Sequence, residues 1–305
     1  MATLTIDAVR LRKNYGTRTA VRDLTLQVKR GEAFGFLGPN GAGKSTSIKM
    51  LLGLVKPTSG RALLLDRPVG DREVRARIGF LPEHFRFYDW LSASELILFH
   101  GRLCGLAEDQ LRRKIPMLLE RVGLGAQHAK PIRSFSKGMM QRVGLAQAIV
   151  NDPEILFLDE PTSGLDPAGR KLVRDLIREQ RERGATVFLN SHLLGEVEQS
   201  CDRVAFIRQG NVIAIHEMGA WQAGKTEVEI QVSRVAPSTL ESLRRVAQEI
   251  RMEGRMLRLH VDGESRLPEV VRCLVEGGAE VYSVVPHRVS LEELFLSTMG
   301  PDPGL

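Results

Sequence analysis

Gly38-Pro39-Asn40-Gly41-Ala42-Gly43-Lys44-Ser45-Thr46 stands between an apolar run, Ala33 to Leu37, and a stretch of helical pattern, Ser47 to Leu54. A buried strand, a G-x-x-x-x-G-K-[ST] turn and a helix, in that order, predict a phosphate-binding loop in an α/β fold. The residue types suit the chemistry. Glycines let successive backbone N–H groups turn toward phosphate oxygens, and the helix N-terminus adds a positive dipole. Lys44 neutralises the outer phosphates of a nucleoside triphosphate, and the Ser45 hydroxyl is a ligand for Mg²⁺. An ordinary glycine-rich turn is the competing reading; the flanking strand and helix decide against it.

At 305 residues with 43% hydrophobic content, the chain can build one large or two modest cores. No apolar run nears the ~18 residues of a membrane span, and Met1 to Arg12 is too polar for a secretory leader, so a cytosolic protein is expected. Cys104, Cys201 and Cys273 are far apart and form no C-x-x-C pair, which predicts buried free thiols and a reducing compartment. The net charge of +6 is uneven: residues 1 to 219 carry 33 Lys and Arg against 24 Asp and Glu, residues 220 to 305 carry 10 against 13. The basic residues form singlets and pairs without a dense stripe or interleaved aromatics, so no nucleic-acid surface is expected.

Residues 4 to 11 and 24 to 28 alternate like paired strands, and Lys56 to Gly60 turns into a strand Arg61 to Leu65. Helical periodicity takes over in Ser92 to Leu103, Glu108 to Val122 and Gly138 to Val150, predicting a helical subdomain at about 85–150. Core strands resume at Ile155 to Leu158 and Thr186 to Leu189, separated by a helix that Asp166-Pro167 starts and Gly184 stops. A hairpin, Val204 to Ile215, completes a first domain over 1–219. After a polar linker at Ala220 to Lys225, a small α/β accessory domain is predicted over 226–300: strand Glu227 to Val232, helix Ser238 to Glu249, strand Met256 to Val261, helix Leu267 to Glu276, strand Glu280 to Val285 and helix Leu291 to Met299. A ligand-sensing role for that domain is a further reading, although its pattern needs no site to explain it.

Ile155 to Leu158 ends in Asp159-Glu160-Pro161. Neighbouring side chains at a strand end diverge, so one carboxylate can hold Mg²⁺ while the other polarises a water, which suits metal-assisted phosphoryl transfer to water. Ser134-Phe135-Ser136-Lys137-Gly138-Met139-Met140-Gln141-Arg142 lies between the phosphate loop and this strand, and Ser163-Gly164-Leu165-Asp166 and His192 come after the strand.

In that order these segments resemble the ATP-binding cassette (ABC) ATPases, over about residues 4 to 217. The resemblance implies a P-loop NTPase cassette, a mixed-sheet core with a helical subdomain. It implies ATP and Mg²⁺ as cofactors, with Ser45 and Asp159 on the metal, Glu160 orienting or deprotonating water, and His192 and Lys44 stabilising the γ-phosphate. Ser134 to Arg142 is similar to the family signature segment, in which Ser136 and Gly138 would reach ATP held by an opposite subunit. Ser163 to Asp166 is similar to the loop that contacts that subunit, and Tyr15 stands where the family stacks an aromatic on adenine. One position departs: after Ile78 to Leu81 the family usually has glutamine, and this chain has Pro82-Glu83. Glu83 keeps its reach toward water or Mg²⁺ but brings negative charge toward the phosphates.

The single phosphate loop and single signature imply a homodimer, or a heterodimer with a related ATPase. Leu81-Pro82-Glu83, the Ser-Lys-Gly signature and Val289 to Phe295 resemble exporter ATPase subunits whose integral membrane permease is a separate chain. The implied place is the cytoplasmic face of the cell membrane. The alternative is a soluble ABC ATPase acting on ribosomes or nucleic acid, which usually calls for two cassettes or a long coiled-coil insertion, neither present here.

Overall fold

The computed structural model describes residues 3–84, 86–220, 225–287 and 289–300. The chain packs as two units, the first running to His216 and resuming at Phe295, the second spanning Glu217–Leu294. Residues 295–300 thus fall in the first unit, although the sequence pattern groups them with the accessory domain.

The first unit is built on ten strands: β1 (Leu4–Tyr15), β2 (Arg18–Lys29), β3 (Ala33–Leu37), β4 (Ser59–Leu64), β5 (Arg67–Pro68), β6 (Ile78–Leu81), β7 (Ile155–Asp159), β8 (Thr186–Asn190), β9 (Arg203–Arg208) and β10 (Asn211–Glu217). Their order is β5-β4-β1-β2-β10-β9-β3-β8-β7-β6. Strands β6, β7, β8, β3 and β9 run parallel, whereas β1, β2, β4 and β5 pair antiparallel. Every residue of β3, β7 and β8 is buried, as expected for parallel strands covered on both faces. Phe188 sits at the centre, its ring 5.8 Å from Phe34, 5.3 Å from Phe36 and 5.3 Å from Phe157. Each fully buried phenylalanine contributes about 1.5–3 kcal/mol by leaving water.

Helices α1 (Lys44–Leu51), α2 (Arg72–Ala76), α3 (Ala93–Leu103), α4 (Glu108–Arg121), α5 (Lys137–Ala148), α6 (Pro167–Glu182) and α7 (Leu194–Ser200) complete this part of the chain. Helix α3 opens with a reciprocal cap: Ser92 N–H donates to Glu95 Oε2 at 2.8 Å and Glu95 N–H to Ser92 Oγ at 3.3 Å. Asp166 Oδ1 accepts from Gly169 N–H at 2.8 Å, and Pro167 sets the first turn of α6. Helix α1 begins at Lys44, three residues before the periodicity first shows it, because its opening turn faces the phosphate loop and carries no apolar signal.

In the second unit β11 (Lys225–Val232), α8 (Pro237–Leu243), β12 (Gln248–Glu253), β13 (Met256–Asp262), α9 (Leu267–Glu276) and β14 (Val281–His287) form an antiparallel sheet ordered β12-β13-β11-β14 with two helices. The expected helix Ser238 to Glu249 stops at Leu243, and residues 248–253 are an added edge strand. Gln248 to Glu253 pairs with β13 through a register shift at Gln248/Arg251, where Glu249 takes φ 50°. Tertiary pairing overrides the helical propensity of that segment.

The division between the units falls within the last helix, α10 (Leu291–Met299). Inside the first unit, Phe295 meets Phe206 edge-on at 5.4 Å and the Arg208 guanidinium donates to the Met299 carbonyl. Of the expected linker, residues 221–224 lie outside those described. Cys201 is buried as expected, but Cys104 and Cys273 are only half-buried, and all three are free thiols. Among the described residues no helix is long and apolar enough to cross a membrane.

Candidate active site

The loop Gly38 to Thr46 joins β3 to α1 and forms one wall of a cleft of about 860 Å³. Two of its glycines are required by contact, and Gly43 by conformation as well. A Cβ at Gly38 would stand 2.2 Å from the Ile207 carbonyl oxygen, and one at Gly43, where φ is 103°, 2.5 Å from that of Ala20. The loop is therefore threaded against β9 and β2, and its open side faces the cleft. The Lys44 ammonium folds back onto its own loop, donating to the carbonyls of Gly38 at 2.5 Å and Pro39 at 3.1 Å. Burial pulls its pKa down, against the charges of Glu160, Asp159 and Glu83.

The opposite wall comes from the ends of β7 and β8. Asp159 and Asn190 are register partners there, and Asn190 Nδ2 donates to Asp159 Oδ1 at 2.5 Å. Burial pushes the Asp159 carboxyl up, the Asn190 hydrogen bond draws it down and the Glu83 charge raises it again. The next residue leaves the strand: Glu160 takes φ 52°, a left-handed conformation costing roughly 1–2 kcal/mol for a side chain with a Cβ. That turn sends the second carboxylate elsewhere, and Glu160 Oε2 lies 2.6 Å from His192 Nδ1. A neutral imidazole with its proton on Nδ1 donates it to Glu160 and leaves Nε2 as an acceptor; an imidazolium donates from both nitrogens. Burial raises the Glu160 pKa, with the His192 charge and hydrogen bond opposing.

The left-handed loop is held from behind. Glu160 N–H donates to the Asn190 carbonyl at 2.8 Å. The buried Gln141 amide, on α5, donates to the carbonyls of Glu160 at 3.1 Å and Pro161 at 2.9 Å. Helix α5 is thus fastened to the loop bearing the carboxylate.

Of the expected residues, the phosphate loop, Glu83, Glu160 and His192 line this cleft. Asp159 is reached through Asn190. Tyr15 is not among the lining residues; its ring is half-exposed, with the Lys13 ammonium 5.0 Å from its centre. Its hairpin partner Arg18 lines the cleft, together with Thr19, Ala20 and Arg22. Ser136, Gly138 and Asp166 form a separate group. Ser136 Oγ caps α5 by accepting from Met139 N–H at 3.3 Å, a Cβ on Gly138 would lie 3.5 Å from the Gly164 carbonyl, and Asp166 Oδ1 is 3.8 Å from the Arg142 guanidinium. Sequence reasoning passed over Asn190, Gln141, Arg18 and Arg22, and the only early signal for Asn190 was its place two residues before His192.

A phosphate-loop motif at the end of β3, with a carboxylate pair at the end of β7 one strand removed across β8, defines a P-loop nucleotide hydrolase. A family profile described as ABC transporter matches residues 21–163. An uncharacterized ABC transporter ATP-binding protein of Synechocystis sp. is 39% identical over 279 residues, covering 91% of this chain and 77% of that protein. The Nod factor export ATP-binding protein I of Bradyrhizobium diazoefficiens is 34% identical over 305 residues, 98% of each chain. A solved structure of an ATP-binding subunit of an ABC transporter superposes with a TM-score of 0.67 at 30% identity, over 72% of this chain and 92% of that one. The chain belongs to the ABC transporter ATP-binding protein family. It is an ABC ATPase, with the fold expected of one.

Proposed function

We propose that the chain dimerises head to tail on Mg-ATP and powers export through a separately encoded membrane permease, at the cytoplasmic face of the cell membrane. The observation that carries this reading is the facing of Lys44 and Glu160 across one cleft, with Ser136 and Gly138 in a group of their own. A signature segment apart from the phosphate loop of its own chain is what a site completed by a second subunit requires. The family relationship and the printed export role of the Bradyrhizobium relative support the transport assignment.

The donor set suits magnesium. Mg²⁺ takes one or two carboxylates or hydroxyls plus phosphate oxygens and water; Ser45 lines the cleft, and the buried Asp159 carboxylate is bonded to Asn190, which lines it too. Bound there, the ion supplies charge neutralisation on the phosphate oxygens. The remaining roles belong to protein groups. Lys44 leaves its two loop carbonyls for the outer phosphates, Glu160 orients or takes a proton from the attacking water, and His192 holds Glu160 while Nε2 faces the γ-phosphate. Tyr15, at the same hairpin end as Arg18, provides a platform for adenine. Glu83 stands in the cleft at the junction with a permease, and residues 226–300 act as an accessory domain that steadies the ATPase dimer.

The Glu160→Gln variant tests this reading. It should bind Mg-ATP, lose roughly 10² to 10⁴ in turnover as expected for a missing general base, and sediment as a dimer with Mg-ATP but not with ADP. A monomer under both conditions, or turnover near that of the unaltered chain, would remove the composite-site reading.

A further inference from the structure

Asn190 is a polar residue at the back of the cleft that bonds to both carboxylate-bearing positions. It is 2% exposed. Its carbonyl accepts the Glu160 N–H at 2.8 Å and its Nδ2 donates to Asp159 Oδ1 at 2.5 Å, so one residue fixes both carboxylate-bearing positions. The orientation of the amide follows from chemistry: an ionised carboxylate only accepts, so the NH₂ faces Asp159 and the oxygen faces away. That oxygen, Asn190 Oδ1, is itself buried and has no hydrogen-bond partner among the described residues, while the residue as a whole lines the cleft. A buried acceptor without a donor is costly, and a neighbouring carboxylate cannot supply one. The site is therefore built to receive a donor that arrives with the bound nucleotide.

We infer that Asn190 is a positioning residue for the metal–nucleotide complex: Nδ2 aims the Asp159 carboxylate, and Oδ1 accepts a hydrogen bond from a water of the hydration shell of the magnesium ion. This rests on the proposed assignment of Asp159 to the ion. A water is the matching donor because phosphate and carboxylate oxygens only accept, whereas the waters of a hydrated magnesium ion donate. Magnesium keeps several waters when bound to nucleotides, and their donors need acceptors such as this one. The same arrangement makes Asn190 an outer-shell partner, a class of residue whose loss weakens metal affinity while leaving the directly binding groups in place.

The test uses the full chain, a non-hydrolysable ATP analogue, and Mn²⁺ as a paramagnetic probe read by electron spin resonance. Asn190→Ala should bind the analogue in EDTA within about twofold of the unaltered chain but hold Mn²⁺ in the ternary complex about 10- to 100-fold more weakly. Asn190→Thr, which returns a hydroxyl to the strand end, should recover part of that loss. Mn²⁺ affinity unchanged in a folded Asn190→Ala overturns the inference, as does a loss confined to the analogue in EDTA. If Asn190→Ala fails to fold, the same comparison on Asn190→Thr decides: a loss of Mn²⁺ affinity supports the role and none overturns it. Failure of the unaltered chain to bind Mn²⁺ with the analogue would instead strike the assignment of the cleft itself.

Discussion

His192 Nδ1 and Glu160 Oε2 lie 2.6 Å apart, although the imidazole is largely exposed and the carboxyl is buried. The contact gives Glu160 its largest charged counterweight against desolvation, and Lys44 feels the same carboxylate across the cleft.

A pH dependence follows. Burial raises the Glu160 pKa and His192 opposes that rise. A general base must be ionised, so ATP hydrolysis should fail on the acid side at a pH above the ordinary glutamate range. Removing the opposing group in His192→Ala should move this acid limb still higher. Stability carries the same sign: a raised folded-state pKa means that the ionised form weakens the fold above that pKa, and the penalty vanishes below the unfolded value. Glu160→Gln should therefore melt higher than the unaltered chain near neutral pH, with the gap closing in acid. Turnover and melting recorded across pH check both; an acid limb moving downward in His192→Ala contradicts the argument.

Gln141 is a positional control on the same carboxylate. Gln141→Leu leaves the Glu160 and Pro161 carbonyls without their donor, at a cost of about 1–3 kcal/mol for buried groups. A base displaced by around 1 Å loses on the order of 10²-fold in rate. Denaturant unfolding should show the first effect and steady-state hydrolysis the second, with nucleotide affinity little changed. A purely structural role would lower stability and spare turnover.

Gly43 admits no side chain. Gly43→Ala places a Cβ 2.5 Å from the Ala20 carbonyl oxygen at a φ of 103°. Relieving strain of about 1–3 kcal/mol requires the loop to move, which should weaken ATP binding by roughly 10- to 100-fold. Equilibrium titration with a fluorescent ATP analogue reads it, and wild-type affinity would show that the cradle does not depend on this contact.

Tyr15 and Arg18 face each other across a hairpin end, and only Arg18 lines the cleft in this structure. If Tyr15 moves under adenine, Tyr15→Ala should weaken ATP binding by about 1–3 kcal/mol, the scale of base–aromatic stacking, and Tyr15→Phe should be mild. Arg18→Ala affecting affinity while both Tyr15 variants do not would assign the base contact to the arginine.

The fold was legible wherever a local pattern carries its own physics. The apolar runs of β3, β7 and β8 announce doubly covered parallel strands, and Asp166-Pro167 marks the start of α6 because the cap and the proline act within one turn. The phosphate loop and Asp159-Glu160 could be read for the same reason. What escaped depends on partners distant in sequence. Asn190 matters because strand register sets it opposite Asp159, 31 residues away, and Gln141 because α5 passes behind Glu160. The edge strand β12 owes its state to β13, and a left-handed glutamate carries no sequence signal at all.

The hydrogen bonds from Lys44 to the Gly38 and Pro39 carbonyls bear on the timing of the cycle. A buried ammonium with no acceptor would make the empty pocket a high-energy state and would slow departure of spent nucleotide. Lys44 already donates to two loop carbonyls, so with Lys44 in its proposed phosphate-binding role, emptying the pocket would exchange one set of acceptors for another. On that proposed role, release would be governed by how fast phosphate contacts break, and the emptied loop would keep its acceptors for the next molecule.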